Sequence, residues 1–311
     1  MICRYQQLQQ HETVFKALTG LYVSEFDQLV IDLLPEYEQA EVERLSRPDR
    51  QREIGGGPNF SLSGRDQILL TVIWLRKYPT QEVLGYLFGV SDTSAGRVIK
   101  RLLPLLEQSG RATMKMPDPG RKKRRQLSDL LADTPELAVV IDTFEQRVQR
   151  PQTAKQADKY FSGKKRQHTL KSQVAVDEDS GQVVDVSESV VGPTADINLL
   201  EQSDLLNRLP PGVGGIGDLA YVGIDKLHPD GLAAAPRRKP KNKPRSTEDG
   251  AYNQAFSRRR IIVEQTIGRL RRYQAITQTD RHHRQYHTQR VVAIAGLVNR
   301  QIAYRLPTLV A

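Results

Sequence analysis

Apolar residues recur at helical spacing up to Leu106 of this 311-residue chain, and beyond one strongly basic stretch they regroup into short strand-like runs. That change of period limits the chain to a helical unit followed by a sheet flanked by helices. Between Ser63 and Leu106, Ile68, Val72 and Leu75 share one face, Val83, Leu84 and Leu87 a second, and Val98, Leu102 and Leu105 a third, which predicts three short helices. FGVS at 88–91 separates the last two, with Gly89 able to take positive φ and Ser91 placed to cap the next helix. This is the layout of a helix-turn-helix. Ser94, Arg97 and Arg101 fall on one face of its last helix with Thr93 and Lys100 beside them, a polar and basic surface suited to a major groove. A plain three-helix bundle with solvated arginines is the competing reading. Pro104 is expected to bend or end that helix, and the helical pattern over 13–45 is expected to break near Leu34 and Pro35. REIGGGPNF at 52–60 reads as a linker or turn.

Residues 111–125, RATMKMPDPGRKKRR, carry seven basic residues, one acid and three Pro or Gly positions, the pattern of a mobile linker. Strand-like runs follow at 137–142, 172–177 and 182–191, the last two joined by the turn EDSG. A helix is expected over 196–209, a buried strand over 212–221, a short strand at 232–236, then the helix of SRRRIIVEQTIGRLRRY at 257–273 and a last helix near 288–304. The domain order expected is a helical segment at 1–60, a helix-turn-helix at 61–110, a basic linker at 111–134 and an α/β core at 135–311.

The excess of 46 Lys+Arg over 36 Asp+Glu, a formal charge of +10, calls for a polyanionic partner, and nucleic acid is the default because basic side chains release counterions from phosphates. With 6% aromatic residues and no aromatic-rich platform, an RNA-binding role is disfavoured. No run approaches the ~18 apolar residues of a membrane span, and MICRYQQLQQHETV is too polar for a signal peptide, so the cytoplasm is expected and no membrane partner. A single cysteine, Cys3, agrees with a reducing compartment.

Three acids carry the chemistry. Asp142 ends the first strand, Asp218 ends the strand after the first helix of the core, and Glu264 is the lone acid among six arginines at 257–273. Arg260, Glu264 and Arg271 lie nearly on one line of that helix beside the apolar stripe Val263, Ile267 and Leu270. A surface pairing of Glu264 with Arg260 or Arg271 is the bland alternative. Acids at strand ends of an open sheet stand where such folds build their sites. Three converging carboxylates repel one another unless divalent cations neutralise them, and hard oxygen ligands suit Mg²⁺ or Mn²⁺. Two such ions about 4 Å apart stabilise the attacking and leaving oxygens of phosphoryl transfer.

VVIDTFE at 139–145, GDLAYVG at 217–223 and the arginine-rich helix at 257–273, in this order, resemble the DDE transposases of bacterial insertion sequences, in the branch similar to eukaryotic Harbinger elements. QRP at 149–151, YFSGKKRQHTLKSQVAVD at 160–177, GPTADINLL at 192–200, LTGLYVSEF at 18–26 and IGGGPNFSL at 54–62 extend the resemblance over nearly the whole chain. It implies a ribonuclease H-like core in which Asp142, Asp218 and Glu264 hold the metals, and a cut-and-paste reaction on double-stranded DNA. Water would cut at the terminal inverted repeats, and the freed 3′-hydroxyl would attack target DNA. At least two protomers would be needed to join two ends, in a bacterial cytoplasm at the nucleoid. Some relatives carry tyrosine, arginine, glutamate and lysine on the glutamate helix; Arg260, Glu264 and Arg271 match the last three with arginine for lysine, and Ser257 departs from the tyrosine. Glu145 is a further acid that could lie near the metals.

Lys164, Lys165 and His168 fit phosphate positioning, with a solvated hairpin entrance as the alternative. Asp196 is expected to cap the following helix, while Tyr221 could pack under the acids or touch DNA. His282, His283 and His287 are read as surface residues or DNA contacts rather than a metal cluster. A nuclease that cuts without joining, and a non-catalytic DNA-binding protein, are the competing functions.

Overall fold

The computed structural model describes residues 3–46 and 62–305; the turn expected at 52–60 lies outside them. Six helices come first: α1 (Tyr5–Leu8), α2 (Glu12–Thr19), α3 (Val23–Leu45), α4 (Gly64–Lys77), α5 (Gln81–Phe88) and α6 (Asp92–Thr113). Short polar side chains start the last three, with Ser63, Thr80 and Ser91 accepting the amides of Asp66, Val83 and Ser94. Gly89 ends α5 at φ 62° and Ser91 opens α6, so the expected helix-turn-helix is α5, its turn and α6. The turn folds back so tightly that a Cβ on Gly85 would lie 2.7 Å from the Val90 carbonyl oxygen.

Two prolines do not do what the sequence reading expected. α3 runs through Pro35 and α6 through Pro104. Both rings are exposed, so the backbone group each leaves unpaired faces solvent. Neighbours such as Leu33, Tyr37, Leu102, Leu103 and Leu106 are buried, at about 1.5–3 kcal/mol each, which outweighs the ~3 kcal/mol that an internal proline costs.

The second half is a mixed sheet between helices. Its strands are β1 (Ala138–Arg147), β2 (Phe161–Ser162), β3 (Gln167–Asp177), β4 (Val183–Val186), β5 (Val190–Val191), β6 (Gly214–Ile216) and β7 (Ala233–Ala234). β1 lies between antiparallel β3 and parallel β6, β7 extends the parallel edge, and β2, β5 and β4 share the far edge of β3. Four helices complete it: α7 (Ala154–Tyr160), α8 (Asp196–Ser203), α9 (Thr247–Leu270) and α10 (His287–Arg305). Alternation along β1 divides two apolar layers, Ala138, Val140 and Phe144 facing α9 and α10, and Val139 and Ile141 facing α8. A helical N-terminal region followed by a sheet with this order and these flanking helices is the ribonuclease H-like α/β class expected.

Two elements are shorter than their sequence pattern. α8 stops at Ser203 because Asp204 turns left-handed at φ 53°, and β6 ends at Ile216 because Asp218 already opens a 3-10 turn. The basic segment is also not a loose tether. Lys122 pairs with Asp177, and Arg125 with Glu178 and Asp179, at the turn after β3.

One apolar cluster runs without a break from the N-terminal helices into α9, α10 and the inner sheet face. α6 crosses α10 at Gly110 and Gly296, so closely that a Cβ on Gly296 would sit 2.3 Å from the Cα of Gly110. A second tie joins α4 to the segment after α9: the Tyr78 hydroxyl donates to Asp280 at 3.2 Å, and His282 stands edge-on to Trp74 at 5.0 Å. Asp280 is held in turn by Arg290 at 2.5 Å, both fully buried.

Candidate active site

Val140 of β1 pairs with Ile216 of β6 in parallel register. Asp142 and Asp218 each follow that pair by two residues, which sets them level on chain paths ~4.8 Å apart. Asp218 lies just past the end of β6, but Asp142 does not end its strand as expected, because pairing with β3 carries β1 on to Arg147. Asp142 has the same parity as Val140 and Phe144, so its carboxylate turns toward the α9 side of the sheet. There Arg260 brings a guanidinium nitrogen to 3.9 Å from its Oδ2, while the Arg260 Nε is buried without a hydrogen-bond partner.

Burial raises the pKa of Asp142 from 3.8 to about 6, against the Thr143 amide and the Arg260 charge, with the charges of Asp218 and Asp196 pushing it further up. Asp218 accepts the Ala220 amide at 2.8 Å, which fixes its side chain over the 3-10 turn. Tyr221, the last residue of that turn, is fully buried and donates to Gln173 Oε1 at 3.3 Å. Its hydroxyl is pushed well above the usual range by burial and by Asp196, Asp142 and Asp218, so of its two expected places it takes the one under the acids.

Asp196 does not cap α8, as the sequence reading expected. Ala195 is the cap residue, and the Asp196 carboxylate accepts from Lys171 at 2.7 Å, with both side chains nine-tenths buried. Lys171 also donates to the Thr194 carbonyl, so the pair is locked in place. An ion pair this well buried outweighs a solvent-exposed helix cap.

Glu264 sits one turn beyond Arg260 on α9, exposed, and pairs with neither Arg260 nor Arg271. Arg271 is exposed at the C-terminal cap, and Val263, Ile267 and Leu270 are buried as expected. Ser257 is exposed and donates to the Asn253 carbonyl at 2.7 Å. Glu145 has the opposite parity to Asp142 and accepts from Thr169 at 2.6 Å, which takes it away from the acids.

Among the described residues no three His, Cys, Asp or Glu side chains are gathered closely enough to form a ready metal site. The donor chemistry nonetheless fits a hard divalent cation: carboxylates crowd at Asp142, its affinity for a proton is raised, and a guanidinium already stands beside it as a positive counter-charge.

The orientation of α9 has a cause that the sequence does not single out. In the run Arg258, Arg259, Arg260 the middle residue is buried, its guanidinium bidentate on Glu178 at 2.7 Å and bonded to Thr134 and the Pro135 carbonyl. That anchor sets the rotation of the helix and therefore the direction of Arg260. Three adjacent arginines look alike in sequence, and only the register of Phe256 and Val263 in the core, three before and four after, hints which one turns inward.

On the helix-turn-helix, Arg97 and Lys100 are exposed on α6, and the Ser94 hydroxyl accepts from Ser91 at 2.9 Å. Arg101 is not on the open face with them; it pairs with Glu41 of α3 at 2.9 Å. Lys164 and Lys165 are exposed on the turn between β2 and β3. His168 stands six residues before Val174, the partner of Asp142, hence about 20 Å along β3 from the acids. His287 is not the surface residue expected, and His282 is half-buried. His287 is fully buried, donating from Nε2 to Gln146 Oε1 at 2.8 Å and accepting at Nδ1 from Ser189 at 2.7 Å, and burial lowers it to about 3. Burial against Trp74 and Tyr78 lowers His282 to about 4. Both tie elements together, and of the three only His283 is exposed.

The family model described as DDE superfamily endonuclease matches residues 141–299, a little over half the chain, and the one described as helix-turn-helix of DDE superfamily endonuclease matches residues 60–112. A probable transposase for insertion sequence element IS702 from Microchaete diplosiphon is 27% identical over 94% of this chain and 95% of its own. No solved structure matches the chain. With Asp142 of β1 level with Asp218 just past the parallel β6, and a helix-turn-helix packed in front of them, the chain belongs to the DDE superfamily of endonucleases.

Proposed function

We propose that this chain is an insertion-sequence transposase: it binds the terminal inverted repeats of double-stranded DNA, hydrolyses a phosphodiester at the element end and joins the freed 3′-hydroxyl to target DNA. The observation that carries the reading is the level pair Asp142 and Asp218 with α9 laid across it, Arg260 against Asp142 and Glu264 one turn on. Two Mg²⁺ or Mn²⁺ ions held by Asp142, Asp218 and Glu264 would neutralise the attacking and leaving oxygens. Arg260, with a free Nε and a planar fork of donors, is placed to take a phosphate oxygen of the strand at Asp142. Lys171 holds the Asp196 carboxylate, so that charge is spent inside the fold. Ser94, Arg97 and Lys100 at the start of α6 meet the end sequence, and Arg271 follows the backbone beyond Glu264. Two element ends must be joined, so two or more protomers act together on DNA.

The domains in this reading are the helical segment 1–60, the helix-turn-helix 61–110, the basic segment 111–134 and the catalytic core 135–311. Supporting the nucleic-acid partner are the formal charge of +10 and the family match over the helix-turn-helix. The test is cleavage and joining on a labelled duplex bearing the element's own terminal repeat, with Mg²⁺ or Mn²⁺, for the natural chain and for Asp142→Ala, Asp218→Ala and Glu264→Ala. Cut and joined products that vanish in all three variants while DNA binding persists are expected. Cutting without joining makes the chain a metal-dependent nuclease, and binding without cutting under either ion overturns catalysis.

A further inference from the structure

The turn between β2 and β3, the end of β1 and the segment at Thr279 surround a cleft of about 340 Å³. Arg147, Arg150, Arg166 and His168 line it, and no acid does. Among the described residues none of these three arginines is in an ion pair, nor are Lys164 and Lys165 at the adjoining turn. So many uncompensated cations in one cleft repel one another until an anion arrives.

A ring stands among them. Phe161 pairs across the hairpin with His168, which touches it edge-on at 5.6 Å between centroids, and 46% of the residue is exposed. A phenyl ring left in water on a basic surface offers a face for a flat apolar partner. Phosphates with a planar ring attached meet both requirements, whereas an acidic peptide would satisfy the cations and leave the ring without a flat partner. In a duplex each base is already covered by its neighbours, so the base that stacks here has left the helix.

We propose that this cleft holds an unstacked nucleotide of a DNA strand, with its base on Phe161 and its phosphate among Arg147, Arg150 and Arg166. The proposal rests on the transposase reading and deepens it. Arg147 follows Asp142 by five residues on β1, about 17 Å along the strand, and a DNA strand advances about 3.4 Å per nucleotide. The cleft, at the end of the sheet, therefore lies several nucleotides from the phosphate at Asp142 rather than at it, and the enzyme handles end DNA that is locally unpaired.

The experiment uses the full chain without divalent ions and measures anisotropy on a blunt duplex and on the same duplex with about six unpaired thymidines at its 3′ or 5′ end. The natural chain is expected to bind one tailed duplex more tightly than the blunt one. Phe161→Ala is expected to weaken tailed binding by about 5- to 100-fold and to leave blunt binding unchanged, because stacking on an aromatic ring is sequence-tolerant and of that size. Phe161→Trp restores it. Arg150→Gln lowers the salt dependence of tailed binding by about one phosphate contact. If tails add nothing, or Phe161→Ala binds them as the natural chain does, the cleft proposal is overturned and the transposase reading stands. If the natural chain binds neither duplex, both are overturned.

Discussion

The guanidinium of Arg260 lies 3.9 Å from the carboxylate of Asp142, and its Nε is buried with no hydrogen-bond partner. An acid and a base that close, with bonding capacity left over on the base, form a contact that an arriving phosphate can take apart. Removing the arginine charge leaves burial and the charges of Asp218 and Asp196 unopposed except by the Thr143 amide. In metal-free protein Arg260→Gln is expected to move the Asp142 titration above about 6, and Arg260→Lys to keep it near there. Carboxyl chemical shifts followed against pH decide; no movement in Arg260→Gln contradicts the electrostatic contact.

Asp142 itself sets a pH dependence of stability. Its folded pKa of about 6 lies above the unfolded value of 3.8, so the folded state holds the proton more tightly. The ionised form costs stability that is absent below about pH 4, grows through about pH 6 and is constant above. Asp142→Asn, which does not titrate, is expected to gain about 2–3 kcal/mol on the natural metal-free chain between pH 4 and pH 8. Melting curves at the two pH values give the difference, and a constant offset would falsify the assignment.

Arg259 and Arg258 are neighbours with opposite expectations. Arg259→Leu leaves the buried Glu178 carboxylate with Arg125 as its remaining cation and is expected to cost about 2–4 kcal/mol, while Arg258→Ala, exposed, stays within about 0.5 kcal/mol. Denaturant unfolding of the two variants compares them directly. Equal effects would mean that the anchor of α9 lies elsewhere.

Two helical glycines form a matched pair. Gly296→Ala forces a methyl against Gly110 and is expected to destabilise by about 1–3 kcal/mol or more. Gly268→Ala on α9 meets nothing within 4 Å and is expected to stabilise by about 0.5–1 kcal/mol. Thermal melts with opposite signs are the anticipated outcome.

Arg97→Ala and Lys100→Ala are each expected to reduce the salt slope of duplex binding by about 1, as lost phosphate contacts do. Arg101→Ala breaks the pair with Glu41 and is expected to lower the melting temperature with little change in that slope. A full unit of slope lost with Arg101 would put it back on the open face.

The sequence was most legible where a local rule and a tertiary need agree. Gly89 and Ser91 mark the turn of the helix-turn-helix because one dihedral and one cap decide it. Asp142 and Asp218 stand out because each acid closes an apolar run, and the parallel register of β1 and β6 sets them level, although β1 continues past Asp142 to Arg147. Where tertiary burial overrides a local rule, reading by rule failed. Pro35 and Pro104 stay in helices held by their buried neighbours, Asp196 answers to Lys171 rather than to a cap, and His287 is taken into the core by Gln146 and Ser189. Arg101 and Arg259 are charged residues whose partners, Glu41 and Glu178, are distant in sequence, so no spacing announces them.

The close crossing at Gly110 and Gly296 makes α6 a measuring rod. Its N-terminal half carries the exposed Arg97 and Lys100 and its C-terminus is pressed into the helix layer that backs the acids, with 22 residues, about 33 Å, of continuous helix in all. On the proposed reading, the distance from the bases read to the bond cut is set by that rod rather than by a tether. Lengthening the DNA between them by one base pair rotates the target phosphate about the duplex axis by about a tenth of a turn, and a welded reader has no slack to follow it.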